Sequence, residues 1–214
     1  MMVRLVIGQG WGAGVSHTQN FAHWFANVPG LDVHMPVTRW GIDDAFDALS
    51  EGRTVVMVEH RRLYETDLNF KYEWDGAGVN IFPISATAID AGHASGELWN
   101  HWRVQANVWP VQRLTDLELP DEEWLTGKPA IVIDCGPQLY GPSAEVAAQL
   151  YAAGASSVTR LSPPAYPCPA SAPLEAAWYP SAADIVNAAL ASLGRKERVA
   201  CEQVNHVPAG QGAF

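Results

Sequence analysis

The chain is poor in cysteine and in positive charge, and it has no long apolar run. Its cysteines, Cys135, Cys168 and Cys201, are odd in number and widely spaced. That excludes a disulfide frame or a paired-cysteine zinc site and fits reduced thiols in a cytoplasm. Lys and Arg number 13 against 23 Asp and Glu, a net charge of -10. Such an acidic chain is excluded from having nucleic acid or an anionic membrane as its main partner. No segment approaches the roughly 20 apolar residues that a bilayer span needs. The apolar start over residues 1–7 is too short for a secretory signal. Internal repeats and low-complexity tracts are missing, so 214 residues imply one or two globular domains. Tryptophan, by contrast, is plentiful at 9. Large aromatics favour cores and the centres of interfaces.

Strands and helices alternate along the chain, the pattern of parallel sheets. Apolar runs predict strands over 3–7, 31–35 and 55–58, with helices over 17–28 and 43–51 between them. Phe21, Trp24, Phe25 and Val28 fall at i, i+3, i+4 and i+7 and should form one buried face. A second alternation follows: strands over 79–84, 104–111, 130–134 and 157–161, and helices over 87–100, 121–125, 142–153 and 180–193. The last helix opens on Ser181 with Asp184 three residues on, a capping-box start. Five prolines between 162 and 173 predict a stiff loop, and residues after 194 lack a period. The expected organisation is a first α/β unit over 1–68, a linker over 69–77, a second α/β unit over 78–194 and a tail over 195–214.

Residues 8–37 carry the most chemistry. Gly8, Gly10, Gly12 and Gly14 free the backbone for positive φ and close approach to a ligand. The loop opens directly onto Ser16, His17, Thr18 and Gln19. Gly8, Gly10 and Ala13, with Asp32 further on, match a dinucleotide fingerprint loosely. The expected helix start near His17, beyond the glycines, and the position of Asp32 at the opening of its strand both argue against that reading. An imidazole beside such a loop suits acid–base work near neutral pH. His23 and His34, on a helix and a strand, read as buried, hydrogen-bonded histidines, without zinc-ligand spacing to His17. Glu59 and His60, at a strand end, have two readings, a lining of a partner-subunit interface and, preferred, a salt bridge to Arg61 or Arg62. Trp99, Trp102 and Trp109 read as core or subunit contact, and Cys135 as a small buried hydrophobe.

The order of these pieces resembles the beta subunit of the thiamine-diphosphate-dependent decarboxylating component of 2-oxo acid dehydrogenases, in the transketolase superfamily. That family has a glycine loop, His-Ser-Gln, an aromatic helix and Pro-Gly-Leu-x-Val-x-x-Pro. This chain has Ser16-His17-Thr18-Gln19, then Phe21, Trp24 and Phe25, then Pro29-Gly30-Leu31-Asp32-Val33-His34-Met35-Pro36. The family strand ending in Glu, with Leu-Tyr beyond, is similar to residues 54–59 followed by Leu63-Tyr64. Residues 134–145 resemble the segment before an Ala-Glu-Ile helix, and Pro167-Cys168-Pro169 with Leu174-Glu175 resembles Pro-x-Pro…Leu-Glu. The likeness spans about residues 3–193. Thr18 stands where the family has Ser.

The resemblance implies a partial, parallel-sheet pyrimidine-binding domain followed by a transketolase C-terminal-like α/β domain. It implies that His17 is the catalytic or substrate-contacting residue, with Gly12, Gly14, Ser16 and Gln19 close to substrate or cofactor. It also implies that thiamine diphosphate and magnesium are held mainly by a partner alpha subunit, with no metal on this chain. The family's activating glutamate and ring-packing aromatic belong to the front of the pyrimidine domain and have no counterpart here. A further chain would supply that segment. The C-terminal domain would build the dimer and meet an acyltransferase component. The enzyme would decarboxylate a 2-oxo acid, of pyruvate or branched-chain type, or transfer a ketol unit. The alternative is a non-catalytic assembly or regulatory module derived from this fold.

Overall fold

The computed structural model describes residues 1–8, 12–64, 66 and 78–200. The first sheet holds β1 (Met2–Ile7), β2 (Leu31–His34) and β3 (Thr54–His60) in the order β1-β3-β2, all parallel. Two short helices, α1 (Val15–Thr18) and α2 (Ala22–Ala26), lead from β1 to β2. The helix α3 (Arg39–Ser50) joins β2 to β3. The second sheet holds β4 (Val79–Pro83), β5 (Ala106–Val108), β6 (Pro129–Ile133) and β7 (Ser157–Leu161) in the order β5-β4-β6-β7, again parallel. Around it lie α4 (Thr87–Trp102), α5 (Glu122–Leu125), α6 (Pro142–Ala152), α7 (Ala172–Trp178) and α8 (Ala182–Ser192).

Parallel strands covered on both faces read as unbroken apolar runs. β4 and β6 do so, and every residue in them is buried. Alternate side chains feed two cores. Val79, Ile81, Ile131 and Ile133 meet Leu98 of α4 and Ile185 and Leu190 of α8. Phe82, Ala130 and Val132 meet Val146 and Leu150 of α6, in the same core as Ile7, Val33, Val56 and Val58 of the first sheet. The two sheets therefore share one core. Backbone bonds reinforce it: Met35 N–H donates to Gln112 O at 2.7 Å and Leu114 N–H to Val33 O at 2.8 Å.

Several elements differ from expectation for identifiable reasons. The helix over 17–28 is broken at Gln19, whose backbone is extended. Asn20 causes the break, because its Oδ1 accepts the Ala22 N–H at 3.0 Å and starts α2 afresh. The expected apolar face is split as well. Phe25 packs on the shared core, while Trp24 is 63% exposed and Phe21 and Val28 also face outward. The helix over 43–51 starts earlier because Thr38 caps it, accepting from Gly41 N–H at 3.4 Å. Proline-rich 162–173 hides the start of α7, where Pro173 occupies the first turn that proline tolerates. The capping box on Ser181 and Asp184 is present.

Glu59 pairs with Arg4 and accepts the Tyr64 hydroxyl at 2.9 Å, while Arg62 bonds Asp90 at 3.2 Å. The partner is Arg4 because β1 and β3 are in register and set both side chains on one face. Trp109 packs edge-on to Trp124 at 6.0 Å, Trp102 lies against the α4–α8 core, and Trp99 is 42% exposed. The expected linker over 69–77 and residues 201–214, Cys201 included, lie outside the described residues. Residues 195–200 are tied down: Val199 N–H donates to Asn187 Oδ1 at 2.8 Å and Arg195 to Trp102 O at 3.0 Å.

Candidate functional site

The glycine loop reaches across to α7. Gly12 N–H donates to Glu175 Oε2 at 2.6 Å, and Glu175 is fully buried. Gly12 has φ 65°, and a Cβ there would lie 2.8 Å from the Ala172 backbone nitrogen. Gly14 has φ 60°, and its Cβ would lie 3.0 Å from Ala170 Cβ. Only glycine meets both demands, left-handed backbone and close approach. Gly12→Ala is expected to destabilise the fold by at least about 2 kcal/mol. Thermal melts would check this, with an unchanged midpoint as the contrary result.

Behind the loop the contacts continue. Thr18 Oγ1 donates to Gly14 O and is buried. Asn20 Nδ2 donates to Cys135 Sγ at 3.6 Å. Cys135 stands at the carboxyl end of β6, where burial pushes its thiol up to about 12. An inert, hydrophobic role follows, as expected for a buried thiol. Its neighbour Asp134 is fully buried, and burial raises its carboxyl to about 6 despite N–H donors from Gly136 and Ser143. The loop is thus clamped between α7 and the carboxyl end of β6.

This clamping sorts the predicted residues. Gly12 is half-buried, Gly14 is buried, and Gln19 is half-buried. Ser16 and His17 are exposed, on the outer face of α1. Their backbone is fixed from below while their side chains face outward. No hydrogen bond joins Gln19 to His17 among the described residues. A cleft of about 320 Å³ between the Pro29–Gly30 turn and α6 is lined by none of these five residues. Among the described residues no group of three His, Cys, Asp or Glu side chains could hold a metal ion. This donor set does not fit a diphosphate–magnesium cradle built by the described residues alone.

Other histidines have different settings. His34 is fully buried, with Nε2 at 3.2 Å from Asp32 and Nδ1 at 3.3 Å from Asp44. Neither contact is aligned as a hydrogen bond, and burial lowers its pKa. His23 is half-buried, its Nδ1 has no partner, and burial lowers its pKa too. Both are buried or half-buried as expected, with His34 held between two carboxylates and His23 Nδ1 left unpartnered. Asp32 is committed to this chain: Arg113 grips both oxygens at 2.8 Å, Thr115 donates at 2.9 Å and Arg53 at 3.1 Å. It has no free acceptor geometry for a ribose, and α1 starts at Val15, beyond the fingerprint glycines. The dinucleotide reading fails on both counts.

No family profile matches the chain. The beta subunit of acetoin:2,6-dichlorophenolindophenol oxidoreductase from Cupriavidus necator is 26% identical over 208 residues, covering 88% of this chain and 61% of that subunit. Among solved structures, a split-gene transketolase described as an inactive beta4 tetramer superposes with a TM-score of 0.64 at 18% identity. It covers 92% of this chain and 67% of its own. The chain resembles a beta subunit of the transketolase superfamily. Transketolase from Campylobacter jejuni agrees in fold, with a TM-score of 0.66 at 14% identity over 89% of this chain and 31% of that one. The fold class is that of the superfamily, α/β with parallel sheets, and its neighbours match the transketolase C-terminal-like unit. The chain spans about three fifths of the length of that curated relative.

The tie from Gly12 to Glu175 crosses 163 residues. No local pattern marks it, and only the Leu174-Glu175 likeness pointed there. Asn20, which breaks the helix and reaches Cys135, carried no separate signal beyond its residue type.

Proposed function

We propose that this chain is a subunit of a thiamine-diphosphate-dependent 2-oxo acid dehydrogenase or transketolase-like enzyme, active only with partner chains. The observation that carries the reading is the clamped loop that leaves His17 outward at a fixed place. A side chain held by its backbone and open to solvent suits a site completed by another subunit. Thiamine diphosphate with magnesium would sit mainly on an alpha subunit and supply the carbanion-stabilising chemistry. The chain's own contribution is His17, which exchanges a proton with the bound 2-oxo acid or its acyl product. Ser16 and Gln19 flank it, and Gly12 and Gly14 let the loop approach closely. The similarity to a beta subunit over 88% of the chain supports this reading.

The second reading is a non-catalytic assembly module. It is favoured by the exposed setting of His17 on α1, away from the cleft between the Pro29–Gly30 turn and α6. Reconstitution with polypeptides encoded beside this chain separates the two. Decarboxylation of a 2-oxo acid only in the mixture supports the enzyme. A stable complex without turnover, and without cofactor binding, supports the module.

A further inference from the structure

Asp134 is a buried carboxyl that holds both ends of one loop. It follows β6 directly, at the carboxyl end of the strand, and has no exposed surface. Its Oδ1 accepts the Gly136 N–H at 2.8 Å, and its Oδ2 accepts the Ser143 N–H at 3.3 Å. Gly136 lies at the start of the connection to α6, and Ser143 in the first turn of that helix. Gly141, just before α6, has no side chain to cap the helix, and a Cβ there would lie 2.2 Å from Pro137 O. Asp134 therefore stands in for the cap, at a helix start that favours negative charge.

The loop between these two bonds is strained and open. Tyr140 has φ 56°, in the left-handed region that a side chain rarely adopts. Tyr140 is 90% exposed and Leu139 61%. Strain of this kind persists only where the surroundings over-determine it. Here they are Asp134 and Arg160 of β7, whose guanidinium donates to Gln138 O and, at 3.1 Å, to Ser143 Oγ. Ser162 Oγ lies 3.2 Å from the same hydroxyl.

Opposed forces act on the charge of Asp134. Burial resists ionisation, the N–H groups and Arg160 favour it, and burial prevails, raising the carboxyl to about 6. The titratable groups beside it keep their charge state near that pH. Burial pushes the Cys135 thiol up to about 12, and Tyr179 beyond it is raised by burial as well. From the first unit comes Asn20, which is neutral and reaches Cys135 Sγ at 3.6 Å.

We propose that Asp134 is a proton-controlled clasp: protonated, it keeps the 136–143 loop shut, and ionised, it shifts that loop toward an open form in which the carboxylate meets water. Protons favour whichever form binds them more tightly. A carboxyl raised above its free value of 3.8 stabilises the shut form fully below 3.8 and loses that contribution as pH rises through about 6. The ratio of open to shut loop then grows about tenfold between pH 5 and pH 8. Leu139 and Tyr140, at the tip, are the residues that move, and opening relieves the backbone at Tyr140. The clasp needs no partner chain and no cofactor.

The full chain alone serves for the test. NMR of the Asp134 carboxyl carbon should give a midpoint near 6. Hydrogen exchange at the Gly136 and Ser143 amides, corrected for its intrinsic pH dependence, should quicken about tenfold from pH 5 to pH 8. Asp134→Asn keeps the shape without the charge and should reduce that rise to about twofold or less. A carboxyl midpoint below about 4.5, close to that of an ordinary carboxylate, overturns the proposal whether or not the asparagine variant folds. Corrected exchange that stays flat or slows with rising pH in the wild type overturns it too, as does an equal rise in Asp134→Asn.

Discussion

Under the proposed function, His17→Ala is expected to lower 2-oxo acid turnover of the reconstituted complex about 10²- to 10⁴-fold, the range for loss of a general acid–base group. The melting temperature of the isolated chain stays unchanged, because the side chain is exposed and a surface change moves stability by roughly 0.5 kcal/mol or less. The pairing of these outcomes matters. A residue that merely capped α1 would shift the melt and spare turnover. Gly14 serves as the N-cap of α1 and no side chain caps it, so His17 has no structural duty of that kind. Steady-state kinetics on the reconstituted complex, beside melts of the free chain, check both. Turnover within threefold of wild type would remove His17 from the chemistry.

Asp32→Ala is expected to have the largest effect on stability, about 3–5 kcal/mol. The substitution strips Arg113 of a two-pronged partner at 2.8 Å and Arg53 of a bond at 3.1 Å, next to fully buried His34. Arg113 then keeps Asp116, at 3.3 Å on the surface, and the more distant charge of Asp44. Burial resists ionisation of Asp32, but hydrogen bonds from Arg113, Thr115 and Arg53 outweigh it and hold the carboxyl at about 2. A depressed carboxylate stabilises above its unfolded pKa, 3.8, and loses that contribution as pH falls toward 2. The contribution is on the order of 2 kcal/mol. Denaturant melts between pH 2 and 6 should show a steeper decline in the wild type than in Asp32→Ala, which keeps the contribution of the other depressed carboxylate, Glu59. Parallel curves for the two proteins would contradict the assignment.

Strands were the most legible part of the chain. Residues 79–83 and 129–133 are buried on both faces, so hydrophobicity alone marks them. Residues 157–161 were bounded by Gly154 and by the prolines that follow, and β7 has those bounds. Helix ends were harder where a side chain overrode the apolar period. Asn20 broke one helix through a bond to the Ala22 N–H, and Thr38 began another before its acidic residues. The site divides the same way. Gly12, Gly14, Ser16, His17 and Gln19 are neighbours in sequence, so a motif can name them together. What holds them is not local: Glu175 comes from α7, Cys135 from the end of β6. The partners of Asp32 are not local either: Arg113 and Thr115 lie some eighty residues away.

Calorimetry of thiamine diphosphate with magnesium tests the central claim most directly. The chain is titrated alone and then in complex with the polypeptides encoded beside it. The account predicts binding only in the complex, accompanied by 2-oxo acid decarboxylation that His17→Ala removes. Binding in no mixture would contradict it and leave a scaffold made from a catalytic fold.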